Sequence, residues 1–289
     1  MKNLGPILII MGAVSYAAVG IVLALAKQNG FSIEEIIVPM YSFALFILFI
    51  LFIFSKKDNL LSRRESILFL LAGLLTVSIT YCFYQSLNYI GVPLATLFLM
   101  QSSWITPLLS CALRKNLPKR ADLIMMLIVM FGVTISCYTA NFNFSFYGII
   151  WGLGAAISYS IMLVFSERFG KNKNVFEKSA IMSLGALVVS IILFSSHATI
   201  NIISSSSAWA LIYACFATVL PLTLLTLGMQ KVSSELAGLL ITLEIPAAYI
   251  LSYIFLSENI NINQILGCVI ITFTIMYPKI NQLFKKKYQ

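Results

Sequence analysis

One acidic residue lies in the middle of an apolar stretch that is long enough to cross a membrane. Glu244 is near the centre of the stretch 231–257, and Pro246 follows two residues later. A carboxyl group at mid-membrane is costly, so it should face a partner or a water-filled cavity. Proline lacks a backbone N–H and frees a carbonyl group, so the helix should bend beside the acid. Together these features indicate a functional site.

A carboxyl group in this position can carry a proton or pair with a cation. No lysine or arginine lies deep in any apolar stretch, so the acid has no basic partner there. It must then be protonated, accept hydrogen bonds from neutral side chains, or meet a cation that comes and goes. We interpret Glu244 as a proton carrier or as the partner of a cationic substrate group. The alternative is a neutral glutamic acid that links helices.

The third apolar stretch carries polar residues on one helical face. Ser78, Tyr81, Gln85 and Asn88 follow the spacing i, i+3, i+7 and i+10, and Tyr84 lies beside them. In lipid such groups need partners inside the protein, so this face should point into the helix bundle. Two interpretations stay open, namely hydrogen bonds between helices and contact with a substrate.

Further candidates lie on other apolar stretches. Gln101 and Trp104 precede Pro107, where a second helix break is predicted; Trp104 would line a pocket or pack on the proline. Tyr16 and Tyr159 occupy equivalent places in the first and sixth stretches, where they would line a cavity or pack between the halves. The predicted helix breaks are Pro107 and Pro246, and the predicted substrate-binding residues are Tyr16, Tyr81, Tyr84, Gln85, Asn88, Gln101, Trp104, Tyr159 and Glu244.

The composition defines the class of protein that must position these residues. Of the 289 residues, 60% are hydrophobic and only 10% are charged. No soluble domain can bury so many apolar side chains, and the apolar runs are continuous instead of alternating, which favours helices over strands. The sequence therefore predicts an all-α integral membrane protein with ten transmembrane helices, at about 5–26, 33–54, 66–88, 91–113, 121–140, 146–167, 177–196, 208–230, 232–256 and 261–279.

The basic residues predict the orientation in the membrane. The net charge is +9, but the charges lie in short clusters between apolar runs, so no nucleic-acid surface is expected. With ten spans and a cytoplasmic N-terminus, 18 of the 19 lysine and arginine residues fall on the cytoplasmic side, and only Lys27 falls outside. Both termini are therefore predicted to be cytoplasmic.

The two halves of the chain resemble each other weakly. An offset of 143 places Gly5 on Gly148 and Tyr16 on Tyr159, and an offset of 142 later places Ala95 on Ala237. Because each half contains five spans, the second half would enter the membrane from the opposite side. We predict two inverted five-helix repeats, residues 1–143 and 144–289, with a site near the midplane where they meet.

Other chemistries find little support in the sequence. The five cysteines have no metal-like spacing and lie in apolar stretches, so neither a metal site nor disulfides are expected. No nucleotide-binding motif is present, and no cofactor is expected. The expected partners are the lipid bilayer and a small-molecule substrate; a homodimer is compatible with the pattern, and the oligomeric state stays open.

Two long segments carry a resemblance to a known family. They read YGIIWGLGAAISYSIMLVFSER from Tyr147 and KVSSELAGLLITLEIPAAYILSYIFLSENININQILG from Lys231. With ten spans in two inverted fives, the chain resembles the EamA branch of the drug/metabolite transporter superfamily. It lacks the arginine that many relatives carry early in the second span, where this sequence has Val38-Pro39-Met40-Tyr41.

The resemblance implies a function. The chain would be a secondary transporter of the cytoplasmic membrane that moves a small organic metabolite by alternating access and is not an enzyme. An amino acid or a similar amphipathic or cationic solute is the expected substrate class, with proton coupling through Glu244. The alternatives are a non-transporting membrane scaffold or receptor, and an intramembrane enzyme, for which a convergent set of catalytic groups is missing from the sequence.

Overall fold

The computed structural model describes residues 4–55, 59–116, 120–136, 145–169, 173–195, 200–256, 261–263 and 265–274. The regular structure in these ranges is helical, as the continuous apolar runs predict. The predicted boundary between the halves, at residues 143 and 144, lies outside the described residues. The helices are α1 (Leu4–Gln28), α2 (Ile33–Phe54), α3 (Arg63–Leu99), α4 (Ser102–Leu113), α5 (Arg120–Ser136), α6 (Phe146–Arg168), α7 (Val175–Phe194), α8 (Ile200–Tyr213), α9 (Leu220–Met229), α10 (Ser234–Ile241), α11 (Glu244–Leu256) and α12 (Ile265–Thr274).

Six helical stretches in the described residues are long and apolar enough to cross a membrane. They coincide with the first, second, third, sixth, seventh and eighth predicted spans. Four shorter apolar helices coincide with the fourth, fifth, ninth and tenth, namely Ser102–Leu113, Leu123–Ile135, Glu244–Phe255 and Ile265–Thr274. The chain is thus a multi-pass helical protein, while the number of ten spans stays a prediction.

Helix α3 turns back on itself although its helical hydrogen bonding continues to Leu99. A Cβ atom added to Gly152 would lie 2.5 Å from Phe98 Cβ and 2.9 Å from Ser86 Oγ. Twelve residues of straight helix cover about 18 Å, so both residues can reach Gly152 only if the chain reverses between them. The stretch therefore forms a hairpin, in agreement with the predicted third and fourth spans, although the hydrogen-bonded break follows at Met100–Gln101.

The fourth and ninth predicted spans are both interrupted. Helix α4 follows a turn at Met100–Gln101, and α11 follows a turn at Thr242–Leu243. The offset of 142 relates these two turns. Pro246 accounts for the second turn, because it offers no N–H to the carbonyl of Thr242, four residues earlier. That carbonyl instead accepts the N–H of Ile245 at 3.1 Å.

Pro107 does not break its helix. It lies inside α4, and the interruption of this span is at Met100–Gln101, six residues earlier. The break predicted at Pro107 is therefore displaced towards the N-terminal side. Near the turn the backbone forms tighter bonds, such as Ser103 N–H to Met100 O at 3.0 Å, so the helix is already rewound before the proline is reached.

A π-helical segment, Ala214–Val219, joins α8 to α9. Pro221 lies just beyond it and cannot donate to the carbonyl of Phe216, its partner in an i to i−5 pattern. The hydroxyl of Ser15 on α1 donates to this carbonyl at 3.0 Å. A hydroxyl group from the first half thus satisfies a backbone group that the second half leaves open.

Contacts between the halves follow a pseudo-two-fold relation. A Cβ atom on Gly5 would lie 2.7 Å from Val232 Cγ2, and one on Gly148 would lie 2.5 Å from Ile90 Cγ2. The offsets of 143 and 142 convert the first pair into the second. The same relation connects Gly5–Lys231 with Gly148–Tyr89 and Ile9–Gly228 with Gly152–Ser86. A two-fold axis produces such exchanged pairs, so the weak sequence repeat corresponds to a repeat in structure.

The first and sixth helices run in opposite directions. Gly5, at the start of α1, packs against Lys231, which follows α9. Gln230, beside Lys231, donates a side-chain hydrogen bond to the carbonyl of Lys173 at 2.9 Å, just beyond the end of α6. The start of α1 and the end of α6 are therefore at the same end of the bundle. We call this the Lys173 end.

Candidate functional site

Glu244 is the first residue of α11 and is 8% exposed. The described part of the chain provides no hydrogen bond or ion pair to its carboxyl group. The group lies at the N-terminus of a half-helix, where the backbone N–H groups favour negative charge. Burial opposes that charge. A group held between these two effects can exchange a proton or accept a cation without rearrangement of its helix.

Two tyrosines lie beside this acid. The rings of Tyr16 on α1 and Tyr159 on α6 meet edge to face, with centroids 5.8 Å apart and planes at 77°. Helix α1, which carries Tyr16, packs against α11, and α6, which carries Tyr159, packs against α10. The hydroxyl of Tyr159 is buried and has no hydrogen-bond partner among the described residues. Since the offset of 143 relates the two tyrosines, the pair lies on or beside the pseudo-two-fold axis.

Two further tyrosines of this region were not identified from the sequence. Tyr41 on α2 and Tyr213 at the end of α8 are buried, and α8 packs against both α1 and α2. The hydroxyl of Tyr41 also lies 3.4 Å from that of Thr80 on α3. Neither tyrosine belongs to a polar stripe, so the sequence held no signal beyond an aromatic residue in an apolar run.

The fourth-span candidates pair with each other. The indole N–H of Trp104 donates to Gln101 Oε1 at 2.7 Å. Gln101 immediately precedes α4, in the helix interruption. Trp104 therefore holds the side chain of Gln101 at the turn, at the position equivalent to the turn that precedes Glu244.

The third-span stripe is divided between two environments. Tyr81 packs against Trp151 on α6, with ring centroids 5.8 Å apart, and against Phe194 on α7 at 5.2 Å. Tyr84 and Gln85 are partly buried, whereas Asn88 is exposed. The structure thus brings Tyr16, Tyr159 and Glu244 together. It places Tyr81 among aromatic side chains of α6 and α7.

The eighth span also carries polar residues at helical spacing, Thr223 and Thr226, and their hydroxyl groups are bonded within their own helix. The hydroxyls of Thr223 and Thr226 donate to backbone carbonyls of the preceding turn, those of Val219 and Leu222. Such bonds satisfy the hydroxyl groups within their own helix.

A buried lysine is a second residue that sequence reasoning missed. Lys178, in the first turn of α7, is only 1% exposed. Its Nζ lies 5.9 Å from the ring centroid of Phe69, and it interacts electrostatically with Glu65 on α3. These contacts place Lys178 at the Lys173 end.

The described residues form neither a metal-ligand cluster nor a disulfide. Within the described residues, no three His, Cys, Asp or Glu side chains are grouped as metal ligands. Cys82, Cys111, Cys215 and Cys268 form no disulfide, and Cys137 lies outside the described residues. Glu244, Tyr16 and Tyr159 are thus the candidate functional groups of this region.

Comparisons with known proteins identify the fold and the family. One crystal structure, described only as that of a protein, matches with a TM-score of 0.76 at 14% identity over 99% of this chain and 98% of the other. At this identity the match shows the fold alone. A comparison with curated proteins gave no match.

The family model of the EamA-like transporters matches the chain twice, over residues 3–138 and 146–277. The two matches cover nearly the whole chain and follow the structural repeat. Members of this family are membrane transporters of small molecules rather than enzymes. The chain therefore belongs to the EamA-like transporter family, within the drug/metabolite transporter superfamily, and is a multi-pass membrane protein.

Proposed function

We propose that this protein is a secondary transporter of the cytoplasmic membrane that moves an amino acid or a similar amphipathic or cationic metabolite by alternating access. Ten spans form two inverted five-helix repeats, and both termini are cytoplasmic. Movement of the solute is coupled to a proton through Glu244. A homodimer is compatible with this mechanism, which one protomer can carry out alone.

The observation that carries the proposal is the position of Glu244. A buried acid without a basic partner in the described residues lies at the start of a half-helix, and two tyrosines on the pseudo-two-fold axis lie beside it. Interrupted helices at the interface of inverted repeats are where transporters bind substrates and coupling ions. An acid required only for folding would be expected to have a permanent partner.

The surroundings of the acid support a cationic group on the substrate. An ammonium group beside Glu244 would gain a charge partner, and the faces of Tyr16 and Tyr159 would attract the same cation. A proton can replace the cation on the carboxyl group when the substrate leaves. Competition between proton and substrate for one acid couples their movements, because the acid cannot hold both.

The test is flux in proteoliposomes with and without a pH gradient. Glu244→Gln keeps the size and hydrogen bonding of the side chain but cannot ionise, so it should abolish gradient-driven uptake. Glu244→Ala should also lose substrate binding. Glu177→Gln is the matched control, because Glu177 accepts the backbone N–H of Leu61 at 2.8 Å far from this cluster. Normal uptake with normal pH dependence in both Glu244 variants would refute the proposal.

The substrate can be sought by thermal unfolding of the purified protein in the presence of metabolites. A ligand that binds only the native state raises its stability by RT ln(1 + [L]/Kd), where [L] is the free ligand concentration. Cationic and zwitterionic solutes should raise the melting temperature of the wild type and not that of Glu244→Ala. Equal shifts in both proteins would place the binding site elsewhere.

A further inference from the structure

We propose that Gln230 and Asn88 are equivalent gating residues that stabilise opposite conformations of the transporter. In the described conformation Gln230 binds the connection before α7. In the alternate conformation Asn88 binds the equivalent turn between α1 and α2, and the Gln230 bond is broken. The proposal rests on alternating access but concerns residues outside the Glu244 site.

The Gln230 contact is fully described. Its side-chain amide donates to the backbone carbonyl of Lys173 at 2.9 Å. Gln230 follows the last residue of α9, and Lys173 lies two residues before α7. The bond therefore connects the end of one span with the start of another within the second half.

The pseudo-two-fold relation identifies the counterpart of this contact. The offset of 142 places Gln230 on Asn88. Residues before and after Gln230 follow the same offset in their packing. Gly228 packs as Ser86 does, and Val232 packs as Ile90 does. An asparagine thus occupies the position of the glutamine, and its amide can make the same type of bond.

The acceptor lies in the turn between α1 and α2. With the offset of 143, the equivalent of Lys173 is Gly30. With the offset of 142, which aligns the N-cap residues Ser32 and Asn174, the equivalent is Phe31. Either residue offers a backbone carbonyl at the equivalent place. Because the acceptor in the observed bond is also a backbone carbonyl, the change of side chain does not remove it.

The counterpart contact is not formed in this conformation. Asn88 is exposed, and its amide makes no hydrogen bond to another described residue. The equivalent glutamine is partly buried and bonded. Two structurally equivalent halves thus differ at one equivalent contact, as expected when each half adopts in turn the conformation of the other.

The contact at the Lys173 end is reinforced by the first half. Lys173 Nζ donates to the carbonyl of Leu60 at 2.9 Å and lies 3.4 Å from Glu65. Asn174 donates to the hydroxyl of Ser55 at 3.0 Å. In the equivalent turn, Ser32 takes the place of Asn174, while Gly30 or Phe31 takes the place of Lys173 and has no charged or polar side chain for such bonds. The side-chain bonds of Lys173 therefore favour the conformation with the Gln230 bond.

The test is chemical cross-linking of the turn to residue 89, which is next to Asn88. Asn29→Cys combined with Tyr89→Cys places two thiols at exposed positions and keeps the Asn88 amide. The proposal expects these positions to approach each other in the alternate conformation. A short bifunctional thiol reagent is applied to the purified full-length protein, and the intramolecular product is measured by peptide mass spectrometry. The protein without added cysteines gives the background from its five native cysteines.

The decisive comparison adds Gln230→Ala to the cysteine pair. Loss of one net hydrogen bond should raise the cross-linked fraction about fivefold. Gln230→Met, which keeps the length without the amide, should act in the same way if the alanine variant folds poorly. Lys231→Ala, next in the chain and exposed, is the matched control and should leave the yield unchanged.

Equal yields in the parent pair and in the Gln230 variants would overturn the proposal, and so would the absence of any cross-link between positions 29 and 89. The measurement needs neither solute nor gradient. A failure of the Glu244 test would therefore refute the coupling mechanism, while the cross-linking result would still test the roles of Gln230 and Asn88.

Discussion

Tyr159 is one of six described residues whose buried side-chain hydroxyl group has no hydrogen-bond partner. Such a buried group costs about 1–3 kcal/mol. Its equivalent, Tyr16, is partly exposed. The hydroxyl group of Tyr159 is therefore still able to form a hydrogen bond. In the proposed mechanism, a substrate or a water molecule beside Glu244 would form it.

We predict that Tyr159→Phe raises the melting temperature or leaves it unchanged while it weakens transport. The ring contact with Tyr16 is kept and the unsatisfied hydroxyl is removed, so the folded state loses nothing. Thermal unfolding and initial transport rates are measured on the same preparation. Tyr41→Phe is the control, because that hydroxyl has Thr80 as a partner and its removal should cost up to about 1 kcal/mol. A clear loss of stability in Tyr159→Phe would show an unrecognised partner.

At the residue scale, the sequence identifies candidates where the membrane makes a polar group conspicuous. Glu244 was identifiable because an acid is rare at such depth, and Tyr16 and Tyr159 because the repeat relates them; their roles stay predictions. Tyr41 and Tyr213 were not identifiable. An aromatic residue in an apolar run packs towards lipid, a neighbouring helix or the centre with equal ease, and only the helix rotation decides which.

At the scale of elements, helices α3 and α7 approach until their backbones touch. A Cβ atom on Gly185 would collide with the carbonyl of Leu70, and one on Gly73 would collide with the backbone at Ala186. Small residues permit this kind of approach in membranes, where packing replaces the hydrophobic effect as the driving force.

We predict that Gly185→Ala destabilises the protein by about 1–3 kcal/mol or more, because rigid backbone atoms cannot move aside. Gly154→Ala should be tolerated or slightly stabilising, since its nearest neighbour would be Cys82 Sγ at 3.6 Å and alanine favours a helix. Thermal unfolding in detergent compares the two. Equal melting temperatures would indicate that the α3–α7 crossing is looser than described.

The helix interruption before Glu244 leads to a third prediction. Pro246→Ala restores an N–H donor to the Thr242 carbonyl, so α10 and α11 can join into one helix. We expect slower transport, because a continuous helix would turn Glu244 from its present position. Pro107→Ala is the comparison, as Pro107 already lies within a continuous helix. Unchanged transport in Pro246→Ala would show that the interruption has no functional role.

Element boundaries were predicted best where apolar runs end in polar connections. The starts of α2 and α6 agree with the sequence, as Ser32 and Ser145 precede the helices. The third and fourth spans were less predictable, because no polar connection separates them and the backbone stays helical through the reversal. The displaced break near Pro107 shows that a proline sets a local constraint, whereas the position of a turn also depends on neighbouring helices.

At the scale of the whole molecule, a handful of sequence matches was sufficient to predict the repeat, but not its geometry. The exchanged contacts around Gly5 and Gly148 give the two-fold relation, and the common end of α1 and α6 gives the inversion. Sequence identity between the halves is low because each position needs only a small or apolar residue of suitable size. The contacts between the helices therefore follow the pseudo-two-fold relation more closely than the residue identities do.

The Lys173 end is predicted to be cytoplasmic. Arg114 pairs with Glu167 there, and Arg168, Lys173 and Lys231 lie at the same end, so its charge follows the positive-inside rule. A membrane-impermeant thiol reagent added to intact cells should label Asn29→Cys, and should label Asn116→Cys only after permeabilisation. The unmodified protein provides the background. Reversed labelling would contradict the predicted orientation. Labelling of both positions from one side would contradict the predicted number of spans between them, because residues on opposite sides must be separated by an odd number of crossings.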